Sequence, residues 1–482
     1  MKIRLLRRLI ALAFVIYCTG TLQAQKYKYD KNAGSEGAKQ VLAQMGLVNN
    51  PVTEAYINKI GQRLVSELAT REFDYTFRIV DMMEPNAFAL PGGHIYISRG
   101  LLAVMNSEDE IAGVLSHEII HSSHRHSYKQ MKKSIFPALL RLPGSIIGAV
   151  NEDVGALINA PLDVASRLRL ARYSRKHEYE ADEFGIQLVA KAGYDPMALA
   201  QALQIIADQV EMLTGKKKKF SYFDTHPFTS NRLGKIAELS KTLTPAARQR
   251  FAKTRTDLYH FLEGLYFGQN PEQGVFRNNI FYHADLDIGI TFPENWNGNN
   301  NPQYVGAKEP KGKAMIIWGV LGINANPHEL AEAYISKMKK KYEIEAYKSE
   351  KMNINGFDAY MFAVDEVSGR DVNNITVLWL NKNGLIFQMI ATGKKKFEKD
   401  FIATATSFHA LRNEEKPLVA GTVLRVASAR ADETLAGLSK RTENVLQASF
   451  LALINRLDEA ARLKAGQPVK FGRVEVYTPV GN

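Results

Sequence analysis

Apolar positions recur at intervals of three and four from about Ser35 to Leu262, so the first half of the chain reads as mainly helical. Near residue 280 the period changes. Phe281, Ile288, Ile290 and Phe292 alternate, and Pro293 to Pro302 reads as an Asn-rich loop. The segment 279–412 predicts α+β structure, with strands at Ala314 to Val320, Asp358 to Val364, Ile375 to Leu380 and Leu385 to Ala391. Helices are predicted at Pro327 to Tyr342 and Phe397 to Phe408, and Asn381 to Gly384 reads as a hairpin turn between the last two strands. Trp296, Trp318 and Trp379 are expected to pack this sheet. The polar run Gly268 to Glu272 marks a boundary near 265–278, and Glu414 to Pro417 reads as a linker to a final segment.

The first residues follow a different pattern. Lys2, Arg4, Arg7 and Arg8 precede an apolar run from Leu9 to Val15, and a small or polar stretch ends at Ala24, as in a secretory signal. The run is too short for a membrane span, and Val15, Ile16 and Tyr17 are the wrong residues before Cys18 for a lipoprotein. Cleavage after Ala24 is expected. The 482 residues carry 62 basic and 50 acidic side chains, a balance of +12; losing the four basic residues of the signal leaves 12 − 4 = +8. With 45% hydrophobic and 23% charged residues the chain is an ordinary globular one, which argues against disordered, collagen-like and many-pass membrane proteins. Cys18 is the only cysteine, so no disulfide framework or cysteine metal site is available. The clusters Lys337 to Lys341 and Lys394 to Lys396 read as solvated faces, and no nucleic-acid partner is expected.

Candidate chemistry concentrates at His117-Glu118-Ile119-Ile120-His121. Ser107 and Glu110 form a capping box before it, and Ile111, Leu115 and Ile119 recur at helical spacing, so the motif lies on a helix. Imidazoles at i and i+4 leave one face together and can both reach a zinc ion, with Glu118 beside a water. Zinc lowers the pKa of bound water toward about 7, and a carboxylate can take and later deliver its proton. A third ligand is required. His124 and Ser127 occupy the positions where a His-x-x-Gly-x-x-His extension would need glycine and histidine, so a glutamate from a second helix is the other route. Glu178 and Asp182 supply it, i and i+4 on one face, one as ligand and one fixing a histidine tautomer. Ala181 and Gly185 permit close helix packing; Gly193 ends that helix, and Asp195-Pro196 begins the next. His124 and His126 read as surface or supporting residues rather than zinc ligands. Phe88 to Ser98 reads either as a strand able to pair with an extended peptide or as a plain core hairpin. Ile135 to Leu168, apolar but interrupted by Arg141, Glu152 and Asp153, reads as a soluble segment or lid over the cleft.

The run from His117 to Arg125-His126, with Glu178-x-Glu180-Ala181-Asp182 and Gly193-Tyr194-Asp195-Pro196, resembles peptidase family M48, the HtpX-, Oma- and BepA-like zinc endopeptidases. Asn86 to Gly93, His226-Pro227 and Arg232 share the likeness, which covers about residues 35–262. It implies one Zn2+ per chain held by His117, His121 and Glu178, with Glu118 as general base and Asp182 behind the ligands. It also implies His226 near the metal, as a reversible fourth ligand or oxyanion partner, and Arg232 supporting the site. Residues 279–412 resemble a PsbP or Mog-like sandwich. Val423-Leu424-Arg425-Val426, Asp432 to Leu435, Leu453 to Leu457 and Leu463 to Val469 resemble a LysM-like βααβ unit, with Ala431 where that family has glycine. The expected fold class is therefore α+β multidomain. It comprises a signal (1–24), a mainly helical gluzincin-type metallopeptidase domain (25–265), an α+β accessory domain (279–412) and a LysM-like domain (418–478). The expected activity is exported zinc-dependent hydrolysis of unfolded or misassembled envelope proteins, with peptidoglycan as a partner of the tail and peripheral envelope association. The rival expectations are a periplasmic chaperone or cell-wall adaptor, and a zinc amidase acting on wall peptides.

Overall fold

The computed structural model describes residues 27–133, 172–214, 222–227, 229–342, 346–368 and 371–479. The signal reading for 1–24 and the lid reading for Ile135 to Leu168 lie outside the described residues. Among the described residues, no helix is long and apolar enough to cross a membrane.

Helix α1 spans residues 27–45, and α2 (Pro51–Val65) starts where the Asn50 side chain accepts from Thr53 N. Strands β1 (Thr76–Val80), β2 (Ala87–Leu90) and β3 (His94–Ser98) form a sheet in the order β1-β3-β2, with β1 parallel and β2 antiparallel to β3. Of the two readings of Phe88 to Ser98, strand or core hairpin, the hairpin is the one formed. Gly92 at φ 80° and Gly93 at φ 92° turn the chain between β2 and β3, a backbone that side-chain-bearing residues rarely adopt.

Helix α3 (Arg99–Val104) leads into α4 (Glu108–Ser123), which carries the histidine motif. Ser107 caps α4 by accepting from Glu110 N at 3.2 Å, but Glu110 Oε2 accepts from Asn106 N rather than from the cap itself. After α5 (His126–Lys133), α6 (Arg175–Lys191) packs along α4. Gly185 makes this approach possible: a Cβ there would already touch the His117 backbone nitrogen at 3.4 Å. Helices α7 (Ala198–Thr214), α8 (Tyr222–Thr225), α9 (Ser230–Ser240) and α10 (Arg255–Leu262) complete the helical layer. Ile111, Leu115 and Ile119 sit fully buried in the core beneath it. Helix α4 is thus packed against α2, α6, α7 and β2.

Strand β4 (Tyr266–Phe267) follows. The region expected to be a boundary is pinned: the buried Arg99 pairs with Asp81 and donates to Gly268 O at 2.6 Å. Next, β5 (Val275–Arg277), β6 (Ile280–His283) and β7 (Ile288–Thr291) form a small meander. The expected Asn-rich loop contains a strand, β8 (Asn297–Asn301), paired antiparallel with β9 (Tyr304–Lys308). A seven-stranded antiparallel sheet continues with β10 (Ala314–Ile323), α11 (Pro327–Tyr342), β11 (Lys348–Ile354), β12 (Phe357–Ser368), β13 (Asp371–Lys382) and β14 (Leu385–Lys394). All four expected strands are present and longer than the pattern suggested. Asn383 (φ 53°) and Gly384 (φ 87°) form the hairpin turn. Tyr334 of α11 packs on Trp379 from one face, while α12 (Glu398–Thr406) and Phe408, stacked on Trp318, cover the other.

The segment expected as a linker is held in place, with Glu415 buried and His409 Nε2 3.0 Å from its carboxylate. Strand β15 (Ala420–Ser428), helices α13 (Leu435–Arg441) and α14 (Ala448–Asn455), and strand β16 (Pro468–Val476) then run in β-α-α-β order. Their sheet, β16-β15-β4, includes the strand that leaves the helical layer. Leu424 and Ile454 join the same apolar core as the α4 side chains. Lys470 is fully buried and donates to Ala103 O at 2.8 Å and Met105 O at 2.9 Å, closing the end of α3.

Candidate metal centre

His117 and His121 project from one face of α4, and Glu178 meets them from the first turn of α6. His226, just beyond α8, completes the group. His121 Nε2 lies 3.0 Å from His117 Nε2 and 3.3 Å from Glu178 Oε1; His226 Nδ1 lies 3.4 Å from His117 Nε2 and 3.3 Å from Glu178 Oε1. Four donors around a zinc ion with bonds of about 2.0–2.1 Å are separated by about 3.3 Å, so the spacing fits a tetrahedral ion. The hydrogen positions agree. His117 Nδ1 faces Asp182 Oδ1 at an ion-pair distance of 3.1 Å without the alignment of a full hydrogen bond; a hydrogen on Nδ1 suits that acceptor and leaves Nε2 a lone pair. With the His121 Nε2 lone pair turned to the same point, a cation is what makes these atoms compatible. The residues present fit zinc.

Burial and charge hold the group in place. His117, Glu118, His121 and His226 are 0% exposed and Glu178 is 1% exposed, so the centre is closed to solvent. Arg232 of α9 donates through Nε and Nη2 to both Asp182 oxygens at 2.7 Å, while its Nη1 reaches Glu178 Oε2 at 2.6 Å. Burial would raise the Glu178 carboxyl, but His226 and Arg232 pull it well below the usual carboxylate range. Asp182 is likewise lowered despite burial, chiefly by Arg232. Glu118 moves the other way: burial outweighs the nearby histidines and raises its pKa. Both Glu118 oxygens and His226 Nε2 lack a hydrogen-bond partner among the described residues, and the two side chains face each other at 3.6 Å. Glu118 is thus a buried carboxylate that no hydrogen bond holds among the described residues.

Every residue expected at the site, His117, Glu118, His121, Glu178, Asp182, His226 and Arg232, is brought into this one cluster. Two aromatic supports were not anticipated. Tyr173 stacks on His121 with centroids 3.8 Å apart, and Tyr222 stacks on His226 at 4.2 Å. Tyr222 precedes His226 by four residues, a spacing that could have signalled it; Tyr173 has no local signal. Tyr173 N donates to Thr225 O at 2.9 Å, so the two chain segments that close the site are tied together.

Residues 51–240 match Peptidase family M48. The chain is 33% identical over 204 residues to the putative beta-barrel assembly-enhancing protease of Vibrio cholerae, covering 41% of each chain. It is 29% identical over 243 residues to the mitochondrial metalloendopeptidase OMA1 of Schizosaccharomyces pombe, covering 48% of this chain and 65% of that one. It is 30% identical over 207 residues to metalloprotease YcaL of Escherichia coli, covering 42% of this chain and 77% of that one. This chain thus spans under half the length of the Vibrio relative. The matched segment contains the two helices and the arginine that build the closed His, His, Glu and His cluster, and the chain belongs to peptidase family M48.

Proposed function

We propose that this protein is an exported zinc endopeptidase that hydrolyses unfolded or misassembled proteins of a bacterial envelope. The observation that carries the reading is the convergence of His117, His121, Glu178 and His226 on one ion-sized point with an unpaired Glu118 beside it. Zinc at that point would polarise a water molecule and the scissile carbonyl. Glu118 takes the proton of the attacking water and returns it to the leaving amine, a role its raised pKa suits. Asp182 and Arg232 keep His117 and Glu178 oriented throughout. His226 would be the fourth donor to an ion held by His117, His121 and Glu178, so room for a substrate would be made by moving the Tyr222 to His226 segment. Export rests on the basic and apolar pattern of residues 1–24. The envelope substrate rests on the name of the Vibrio relative, a beta-barrel assembly-enhancing protease.

Glu118→Gln should retain zinc and fold while losing casein cleavage by about 10²-fold or more; unchanged proteolysis would refute the assignment. The closed centre also favours a second reading, a chaperone or adaptor with little proteolysis. In that case aggregation of an unfolded client is suppressed equally by wild type and Glu118→Gln, and the client survives intact in both. The C-terminal βααβ unit is proposed chiefly as a buttress for α3 and α4, since Lys470, Leu424 and Ile454 face inward. A role in peptidoglycan binding would be seen as co-sedimentation with sacculi.

A further inference from the structure

A second cluster of titratable groups lies at the far end of α4. Arg125 adopts φ 59° between α4 and α5, and its guanidinium is held by the buried Asp30 of α1 through a 2.9 Å contact from Nε. This left-handed residue turns His124 and His126, two apart in sequence, toward one carboxylate. His124 Nδ1 is 2.7 Å from Glu180 Oε1, and His126 Nε2 is 3.5 Å from Glu180 Oε2. On its other side, His126 Nδ1 is 3.2 Å from Nδ1 of the candidate ligand His121. His177 stacks flat on the His126 ring at 4.2 Å.

Two imidazoles and a carboxylate have the composition of a second ion site. Counting hydrogens argues against one. If His121 gives Nε2 to the metal centre, its hydrogen is on Nδ1 and is donated to Nδ1 of His126. A neutral His126 that accepts there carries its own hydrogen on Nε2, which faces Glu180 Oε2 at an ion-pair distance of 3.5 Å and leaves no lone pair for an ion.

We propose that His126 and Glu180 are positioning residues for the metal centre: a relay from His121 Nδ1 through His126 to Glu180 fixes the tautomer and ring plane of His121. It does for His121 what Asp182 does for His117. The two relays differ in exposure. Asp182 is buried, whereas Glu180 is 32% and His124 30% exposed, so the His121 relay ends at solvent. The inference rests on the zinc-peptidase reading.

The test uses the full chain and reads zinc affinity by chelator competition, together with the visible spectrum of the cobalt-substituted protein. His126→Phe keeps the ring and removes both nitrogens; it should weaken zinc binding about 10- to 100-fold and shift the cobalt bands. Glu180→Ala should weaken zinc binding in the same direction, and Glu180→Gln, which keeps an acceptor oxygen, should restore part of the loss. If His126→Phe fails to fold, Glu180→Ala carries the test, because its side chain is partly exposed. Wild-type zinc affinity and an unchanged cobalt spectrum in Glu180→Ala would overturn the relay. So would two zinc ions per wild-type chain with one lost in His124→Ala, which would make the cluster an ion site. A wild-type chain that binds no zinc would overturn the peptidase reading as well, and so separates the two failures.

Discussion

Glu118 and Glu178 are the same side chain, both buried, yet burial raises the first while His226, Arg232 at 2.6 Å and His121 together lower the second. Arg232 is therefore the residue whose loss should be felt most widely. Arg232→Ala leaves Asp182 and Glu178 as buried uncompensated charges, and a stability loss of about 3–5 kcal/mol is expected in urea unfolding. Arg232→Lys keeps the charge but loses the two-pronged contact with Asp182, and should fall between wild type and alanine. His226→Ala should change the rate of peptide cleavage while zinc content stays at one per chain; equal turnover in both proteins would remove any gating role. At this scale the sequence was highly legible. His117 with His121, and Glu178 with Asp182, are pairs at helical spacing, so one period and the ligand chemistry of zinc suffice to place them. Tyr173 lies 52 residues beyond His121, and nothing local ties an aromatic at that distance to an imidazole.

At the scale of elements, patterns read well where one face is apolar and poorly where pairing alone makes the strand. The strand β8, Asn297 to Asn301, has only one buried residue, Asn299, and its sequence carries turn chemistry; hydrogen bonding to β9 in a tight hairpin overrides that preference. The break between β2 and β3 is one of two readings that the sequence allows, since Gly92 and Gly93 can extend or turn and tertiary packing chooses. The antiparallel pair of β15 and β16 offers an electrostatic prediction. Arg425 donates to both Glu475 oxygens, at 2.8 Å through Nε and also through Nη2, and this pairing is the main reason the Glu475 carboxyl is lowered to about 2. Because the folded value lies below the ordinary 4.5, the contribution is complete above that pH and is lost as pH falls toward 2. Glu475→Gln should therefore flatten the acid limb of the stability profile between those limits. A profile identical to wild type would show the pair to be too solvated to matter.

The whole molecule is less modular than a division into consecutive domains suggests. The β-α-α-β order of the C-terminal unit was readable, but its sharing of a core with α4 was not, because contacts between residues hundreds of positions apart leave no periodic trace. Lys470→Ala should cost about 1–3 kcal/mol by leaving the carbonyls of Ala103 and Met105 without a donor, measured as a shift of the urea midpoint. Deleting residues 413–482 should abolish the fixed tertiary structure of the helical layer as well; a truncated chain with native near-ultraviolet circular dichroism would contradict this. The distance along the chain between Lys470 and Ala103, 367 residues, also sets an order of events during synthesis. The helix bearing His117 and His121 is made well before the strand that seals the turn ahead of it. A chain made through α4 but not yet through β16 therefore holds the motif helix without the lysine that caps the turn before it.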